Sequence, residues 1–259
     1  MTILYFTSTG NCLQLAKKIG GIQLSIPQMI KENKYHFEDD AIGLIFPVYG
    51  FGLPKIVKRF LEKASFKAQY TFAVGTYGNT PGAVMFNLHK FAVKRGITFD
   101  YMNELLTVDN YLPVFDVNDQ IARLPEKKTA ENIEKIVSDI HNRKTNLPKA
   151  SVSLKVLTAF IQSMSGVFSS GKAAQKFIVN EKCKHCGICT NVCPVSNINI
   201  ADKVVFSDRC ESCFGCVHHC PANAIHLRNE KSTARYRNAE VTLKEIQNAN
   251  CQNGLAKRI

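Results

Sequence analysis

The sequence predicts an α/β protein in two parts, a doubly wound parallel sheet followed by a smaller α+β domain built around cysteines. Three observations predict it. Over the first ~110 residues, β-rich apolar runs alternate with longer amphipathic runs, the pattern of a parallel sheet with helices on both faces. Glycine- and hydroxyl-rich loops follow three of the apolar runs, at the carboxyl ends of strands where open sheets bind ligands. Eight of the ten cysteines fall between residues 183 and 220.

The elements follow in order. TILYF (2–6) reads as a strand, and NCLQLAKKIGG (11–21) has helical spacing and ends in glycine, a helix stop. AIGLIFPVY (41–49) is a buried strand, LPKIVKRFLEKA (53–64) an amphipathic helix and YTFAVGTYG (70–78) a third strand. TPGAVMFNLHKFAVKRG (80–96) is helical, and ITFDYMNELLTV (97–108) is a further strand. Residues 115–145 are polar with helical periodicity. Residues 150–175 are apolar, small and serine-rich, which suits a helix and connector packed on one domain; a helix lying on a membrane surface is the alternative. The expected division is 1–145 for the sheet domain, 146–175 for a helical connector, 176–228 for the cysteine domain and 229–259 for a charged tail with one helix in TLKEIQNAN.

With 45% hydrophobic and 21% charged residues, 259 residues can build one large core or a large and a small one. No run approaches 18 consecutive apolar residues, so no membrane span is expected, and the N-terminus lacks the basic start and apolar stretch of a signal peptide. A cytoplasmic location follows as the expectation. There, clustered cysteines point to metal rather than disulfides. The formal charge of +12 suits an acidic redox protein partner of ferredoxin or reductase type, although a solvated lysine-rich surface explains it equally well. Lys and Arg are spread along the chain and no nucleic-acid motif appears, so neither nucleic acid nor membrane is expected as a partner.

The cysteines form two runs of one design: Cys183-x2-Cys186-x2-Cys189-x3-Cys193-Pro194 and Cys210-x2-Cys213-x2-Cys216-x3-Cys220-Pro221. This is the run of two-cluster bacterial ferredoxins. Three thiolates two residues apart wrap one corner of a cubane, and the fourth, before proline, is directed to the other cluster. Cys183, Cys186, Cys189 and Cys220 are thus assigned to one [4Fe–4S] cluster, and Cys210, Cys213, Cys216 and Cys193 to the second. Gly187 and Gly215 let backbone amides approach the sulfurs. Structural zinc would typically use two CxxC pairs far apart, and does not explain two four-cysteine runs each closed by Cys-Pro. His185, His218 and His219 are expected to be exposed or to stand behind the ligands.

TSTGNC follows the first strand and opens a helix. It offers hydroxyls and backbone amides to a phosphate, but taken alone it serves equally as a helix N-cap. It is neither GxGxxG nor a Walker A loop. FPVYGFGLP (46–54) and GTYGNTPG (75–82) stand at the ends of two other strands, and each joins glycines to an aromatic residue that can lie against a flat ring.

On these residues the first 145 positions resemble a flavodoxin-like domain, which implies a sheet of order 2-1-3-4-5 with FMN at its carboxyl edge. The resemblance places Thr7, Ser8, Thr9, Gly10, Asn11 and Cys12 at the phosphate, and Pro47, Val48, Tyr49, Gly50, Thr76, Tyr77, Gly78 and Asn79 beside the flavin ring. Cys12 stands where the family usually has threonine, and a thiol is the poorer donor. Residues 176–228 look like a bacterial 2[4Fe–4S] ferredoxin. The whole chain resembles the flavodoxin–ferredoxin fusion proteins of anaerobic bacteria and archaea. That resemblance implies an electron carrier relaying electrons between two [4Fe–4S] clusters and FMN; the alternative is a flavin-dependent oxidoreductase that reduces a small acceptor. No acid–base constellation emerges, and Asp109, Asp116 and His89 read as surface or structural groups.

Overall fold

A computed structural model describes residues 1–168 and 176–252, without the side chains of 164–168. Residues 169–175 of the expected connector and 253–259 of the tail lie outside the described residues.

The N-terminal part alternates as its pattern requires. Its elements are β1 (Thr2–Tyr5), α1 (Asn11–Ile19), β2 (Ile22–Ser25), α2 (Ile26–Lys31), β3 (His36–Glu38), β4 (Ala41–Pro47), α3 (Lys55–Leu61), β5 (Ser65–Lys67), β6 (Tyr70–Tyr77), α4 (Val84–Val93) and β7 (Tyr101–Leu106). Five parallel strands form one sheet in the order β2-β1-β4-β6-β7, which is the flavodoxin-like order 2-1-3-4-5. β3 and β5 pair in parallel outside it. The central strands are apolar throughout because both their faces are covered. Gly43 stands opposite Phe72 in register, and a Cβ there would fall 2.1 Å from that ring.

The four strands and three helices read from the sequence in this part are all present, each shorter than read by one to four residues at one or both ends. The edge strand β2 escaped that reading altogether. Gly20 and Gly21 precede it, Gln23 and Ser25 interrupt its apolar residues, and Ile22 is exposed, so neither alternation nor a buried run marks it.

After β7 come α5 (Val117–Ala122), a 3-10 turn at Pro125–Lys127, α6 (Thr129–His141) and α7 (Val152–Phe168). One face of the sheet is covered by α1 and α6, the other by α2, α3 and α4. α7 lies against the loops that follow β4 and β6: Thr158 accepts from the Ala83 amide at 2.9 Å, and Gln162 donates to the Phe51 carbonyl at 2.8 Å. Among the described residues no helix is long and apolar enough to cross a membrane.

The cysteine region holds β8 (Phe177–Val179), α8 (Ile188–Asn191), β9 (Ile198–Ile200), β10 (Val204–Phe206), α9 (Gly215–His218) and β11 (Ile225–Leu227). β8 pairs with β11 and β9 with β10, both antiparallel. The sequence repeat is a backbone repeat. His185 and Ser212, Gly187 and Phe214, and Ser196 and Asn223 hold equivalent places in the two runs, and each pair shares a left-handed conformation.

The chain closes with α10 (Leu243–Asn250), begun by a capping box between Thr242 and Glu245. This charged tail packs on the sheet domain. Ile246 and Ala249 join the core beneath α1, while Lys17 meets Glu245 and Lys18 meets Glu240, both at 2.9 Å.

Candidate functional site

The structure sorts the eight cysteines into two groups. Cys183, Cys186, Cys189 and Cys220 line one cavity of about 270 Å³, together with Gly187, Ile188 and Pro221. After the larger effect of burial, Cys213, Cys210 and Cys193 raise the pKa of Cys216 most, and Cys189 of the other group adds a smaller contribution. The fourth cysteine of each run therefore stands with the first three of the other. All eight are thiols without disulfides, and among the described residues no three metal-binding side chains converge on a point for a single ion. Burial pushes Cys189 up to about 11, and Cys213 and Cys216 also well above the usual thiol range. Such thiols become ligands only where a metal centre compensates the buried charge.

The two groups differ in surroundings. Cys186 is exposed, and Lys182, Lys184 and His185 beside it are exposed too. The second run is built into the carboxyl edge of the sheet. Cys213, like Val48 and Tyr49, packs against the core on one face of the sheet, and it lies near enough to Tyr49 to act on its hydroxyl. A Cβ on Gly215 would stand 3.7 Å from the Ser8 carbonyl oxygen. The Glu211 carboxylate, 1% exposed, accepts from the Ile56 amide at 3.0 Å and from Arg59 at 2.6 Å. Phe214 meets Tyr111 and Phe177, with ring centroids 5.6 and 6.2 Å away.

At that edge the hydroxyl loop is buried: Thr7, Ser8, Thr9 and Asn11 are each less than a tenth exposed. Gly10, at φ +109°, turns the chain from β1 into α1, a conformation glycine adopts without steric cost. Thr7 Oγ1 accepts from the Gly10 amide at 3.1 Å, Ser8 Oγ from the Tyr49 hydroxyl at 3.3 Å, and Thr9 Oγ1 from Asn110 Nδ2 at 2.7 Å. Each hydroxyl acts there as acceptor, so its own proton is left to donate. Three buried O–H groups beside the amino end of α1 are a donor set that suits a phosphate. Cys12 lies beneath them with Sγ 3.2 Å from Thr76 Oγ1, and burial pushes its thiol up to about 12. It is uncharged at neutral pH and acts as a small apolar filler.

The two other loops reach the same edge. Pro47, Val48 and Tyr49 are half-buried and Gly50 is exposed; Thr76 is buried, Tyr77 and Gly78 are half-buried and Asn79 is exposed. Burial, more than the nearby Cys213 thiol, lifts the Tyr49 hydroxyl well above its ordinary pKa. Lys127 ties the loops together through Gly78 O and Thr107 O, both at 2.7 Å, and Gln120 Oε1 at 3.0 Å. Its own burial lowers its pKa.

Several residues at this edge are not marked by the sequence. Of the two places open to His218 and His219, solvent or behind the ligands, the structure excludes solvent: both are buried. His218 Nδ1 accepts from the Tyr236 amide at 3.2 Å, which leaves the ring proton on Nε2 for the Asn110 carbonyl at 3.1 Å. His219 Nε2 meets the Ser8 carbonyl at 2.9 Å. Burial lowers these imidazoles to about 3 and about 4, so both are neutral. Asn110 lies in VDNYLPVFD, a segment whose sequence resembles a loop of flavodoxin-like proteins but does not say what it touches. Tyr236 and Asn238 stand in the tail, where composition suggested only solvated charge.

A family model described as a 4Fe-4S dicluster domain matches residues 175–252, rather less than a third of the chain. No curated protein matches. Among solved structures, two-electron reduced flavodoxin from Megasphaera elsdenii is 19% identical, with 40% of this chain and 83% of that one covered at a TM-score of 0.32. A flavodoxin from the domain Archaea is 14% identical, covering 53% and 97% at 0.30. The Trp repressor binding protein of Bacillus subtilis is 14% identical, covering 52% and 98% at 0.31. The chain joins a flavodoxin-like fold, read from its own strand order, to a region that matches a 4Fe-4S dicluster domain.

Proposed function

We propose that the protein is an electron-transfer iron–sulfur flavoprotein that holds two [4Fe–4S] clusters and one FMN in a single chain. The observation that carries this reading is the placing of the second cysteine group. Cys213 joins the core cluster that Val48 and Tyr49 also join and lies near enough to Tyr49 to act on its hydroxyl, and Gly215 approaches the Ser8 carbonyl, at the edge where the hydroxyl loop and both ring loops meet. Bound there, the iron–sulfur groups supply one-electron and the flavin two-electron chemistry.

The chain's own residues do the rest. Cys183, Cys186, Cys189 and Cys220 anchor the exposed cluster, and Cys210, Cys213, Cys216 and Cys193 the enclosed one. Thr7, Ser8 and Thr9 donate to the FMN phosphate, and the loops at Pro47–Gly50 and Thr76–Asn79 flank the ring. Glu211, Phe214 and His219 fix the distance between the two parts. The partner proposed is an acidic redox protein of ferredoxin or reductase type, met at the exposed cysteines beside Lys182 and Lys184.

Anaerobic purification followed by iron, sulfide and flavin analysis of one sample tests the reading. About eight irons and one FMN per chain are expected. About eight irons with no flavin, even after FMN is added, would remove the flavin half and leave an iron–sulfur carrier on a flavodoxin-shaped scaffold.

A further inference from the structure

The hydroxyl loop is enclosed by residues from the far end of the chain. Asn250 Nδ2 donates to the Thr7 carbonyl at 2.9 Å, His219 Nε2 meets the Ser8 carbonyl at 2.9 Å, and the Asn238 amide donates to the Thr9 carbonyl at 2.8 Å. All three successive carbonyls are capped from the C-terminal side. In a trans peptide the carbonyl and the next amide point in opposite directions. Capping the Thr7 carbonyl from the tail and the Ser8 carbonyl from His219 therefore turns the amides of Ser8 and Thr9 away from these two caps. Asn11 is held as tightly: its Oδ1 accepts from the Tyr236 hydroxyl at 2.7 Å and from Asn238 Nδ2 at 3.0 Å, while its Nδ2 donates to Thr107 at 3.2 Å. There is no slack, since a Cβ on Gly10 would lie 2.7 Å from the Asn238 Cβ.

The tail is anchored on both sides of these contacts. Before them, the Tyr236 amide is bound to His218. After them, Val241, Ile246 and Ala249 enter the core, Ser25 donates to the Ala249 carbonyl, and Glu240 and Glu245 pair with Lys18 and Lys17.

We propose that residues 236–250 are the outer brace of the FMN phosphate site, a strap that holds the carbonyls of the loop on its own side and so keeps the loop in its binding shape. The inference rests on the flavin reading above. Tyr236 and Asn238 are its positioning residues, acting on the phosphate through Asn11 and Thr9. Retention of FMN is then a property of the tail, and the link between the tail and His218 makes it a property of the iron–sulfur domain as well.

The test is the release of flavin from the full-length holoprotein, followed by the recovery of flavin fluorescence after dilution, for the wild type, Tyr236→Phe and Asn238→Ala. The same chains are loaded with riboflavin, which lacks the phosphate. Tyr236→Phe removes one hydroxyl and keeps the packing, so it remains informative if Asn238→Ala folds poorly. FMN release is expected to quicken about fivefold in Tyr236→Phe, the scale of one hydrogen bond, and tenfold or more in Asn238→Ala, which removes the side-chain bonds to Asn11, Gln14 and the Glu240 amide and keeps the backbone bond to Thr9. Riboflavin release and iron content stay unchanged. Equal acceleration of FMN and riboflavin, or none of either, overturns the strap while leaving the flavin reading in place. A wild type that takes up no FMN overturns both.

Discussion

The two cysteine runs share a spacing, a set of left-handed positions and a closing proline, yet they live in opposite surroundings. In the first run the residue after the leading cysteine is Lys184, exposed to solvent; in the second it is Glu211, buried and bonded to α3. Gly187 in the first run faces open space, whereas Phe214 in the same backbone position is wedged between Tyr111 and Phe177. The cysteines set what each run can bind. The residues between them set what it faces, solvent in one case and the sheet edge in the other.

The largest expected difference is in metal retention. An iron chelator added to the anaerobic holoprotein should remove iron in two phases, with about half of about eight irons lost first. Cys186→Ser should abolish the fast phase and leave the thermal midpoint nearly unchanged. Cys213→Ser should abolish the slow phase and lower the midpoint by several degrees, because Cys213 also packs, like Val48 and Tyr49, against the core on one face of the sheet. A single phase, or the two variants exchanging behaviour, would break the comparison at its root.

Next in size is the charge that follows each leading cysteine. Glu211→Ala strands the Ile56 amide in a buried place and frees Arg59, at a cost of about 1–3 kcal/mol measured by denaturant unfolding of the holoprotein. Lys184→Ala should lie within about 0.5 kcal/mol of the wild type. If the two changes cost the same, Glu211 is a solvated group and the second run is not clamped to α3.

How much of this was legible in the sequence follows from how local each signal is. The cysteine spacing speaks for itself, because a cubane imposes strict geometry on a short stretch of chain. The strands β4 and β6 are legible as continuous apolar runs, whereas the strand order follows only from the resemblance to flavodoxin-like domains, and β2 has no run to mark it. The hydroxyl loop was visible as a motif, but its cover was not. Tyr236 and Asn238 gain their meaning from Asn11, over two hundred residues away, and nothing in RYRN distinguishes them from a solvated tail. The sequence leaves His218 and His219 open between solvent and a place behind the ligands for the same reason: only the docked sheet domain supplies their partners, the carbonyls of Asn110 and Ser8.

The smallest expected effect separates backbone from surroundings. Gly187 has φ +78°, and the nearest atom to a Cβ there would be Thr190 Oγ1 at 4.0 Å, so space is not what selects glycine. If the left-handed turn selects it, Gly187→Ala should cost about 1 kcal/mol even though nothing clashes, and Gly187→Asn less, since asparagine tolerates that conformation better. Phe214 shows that the same turn can carry a large side chain when contacts compensate: at φ +55° it bears the strain and recovers it against Tyr111 and Phe177. Chemical denaturation of the two Gly187 variants, with cluster absorbance as the probe, checks the ranking. Alanine and asparagine costing the same would mean that the first run relaxes its turn when glycine is lost, and that only the second run, held by the sheet, is rigid.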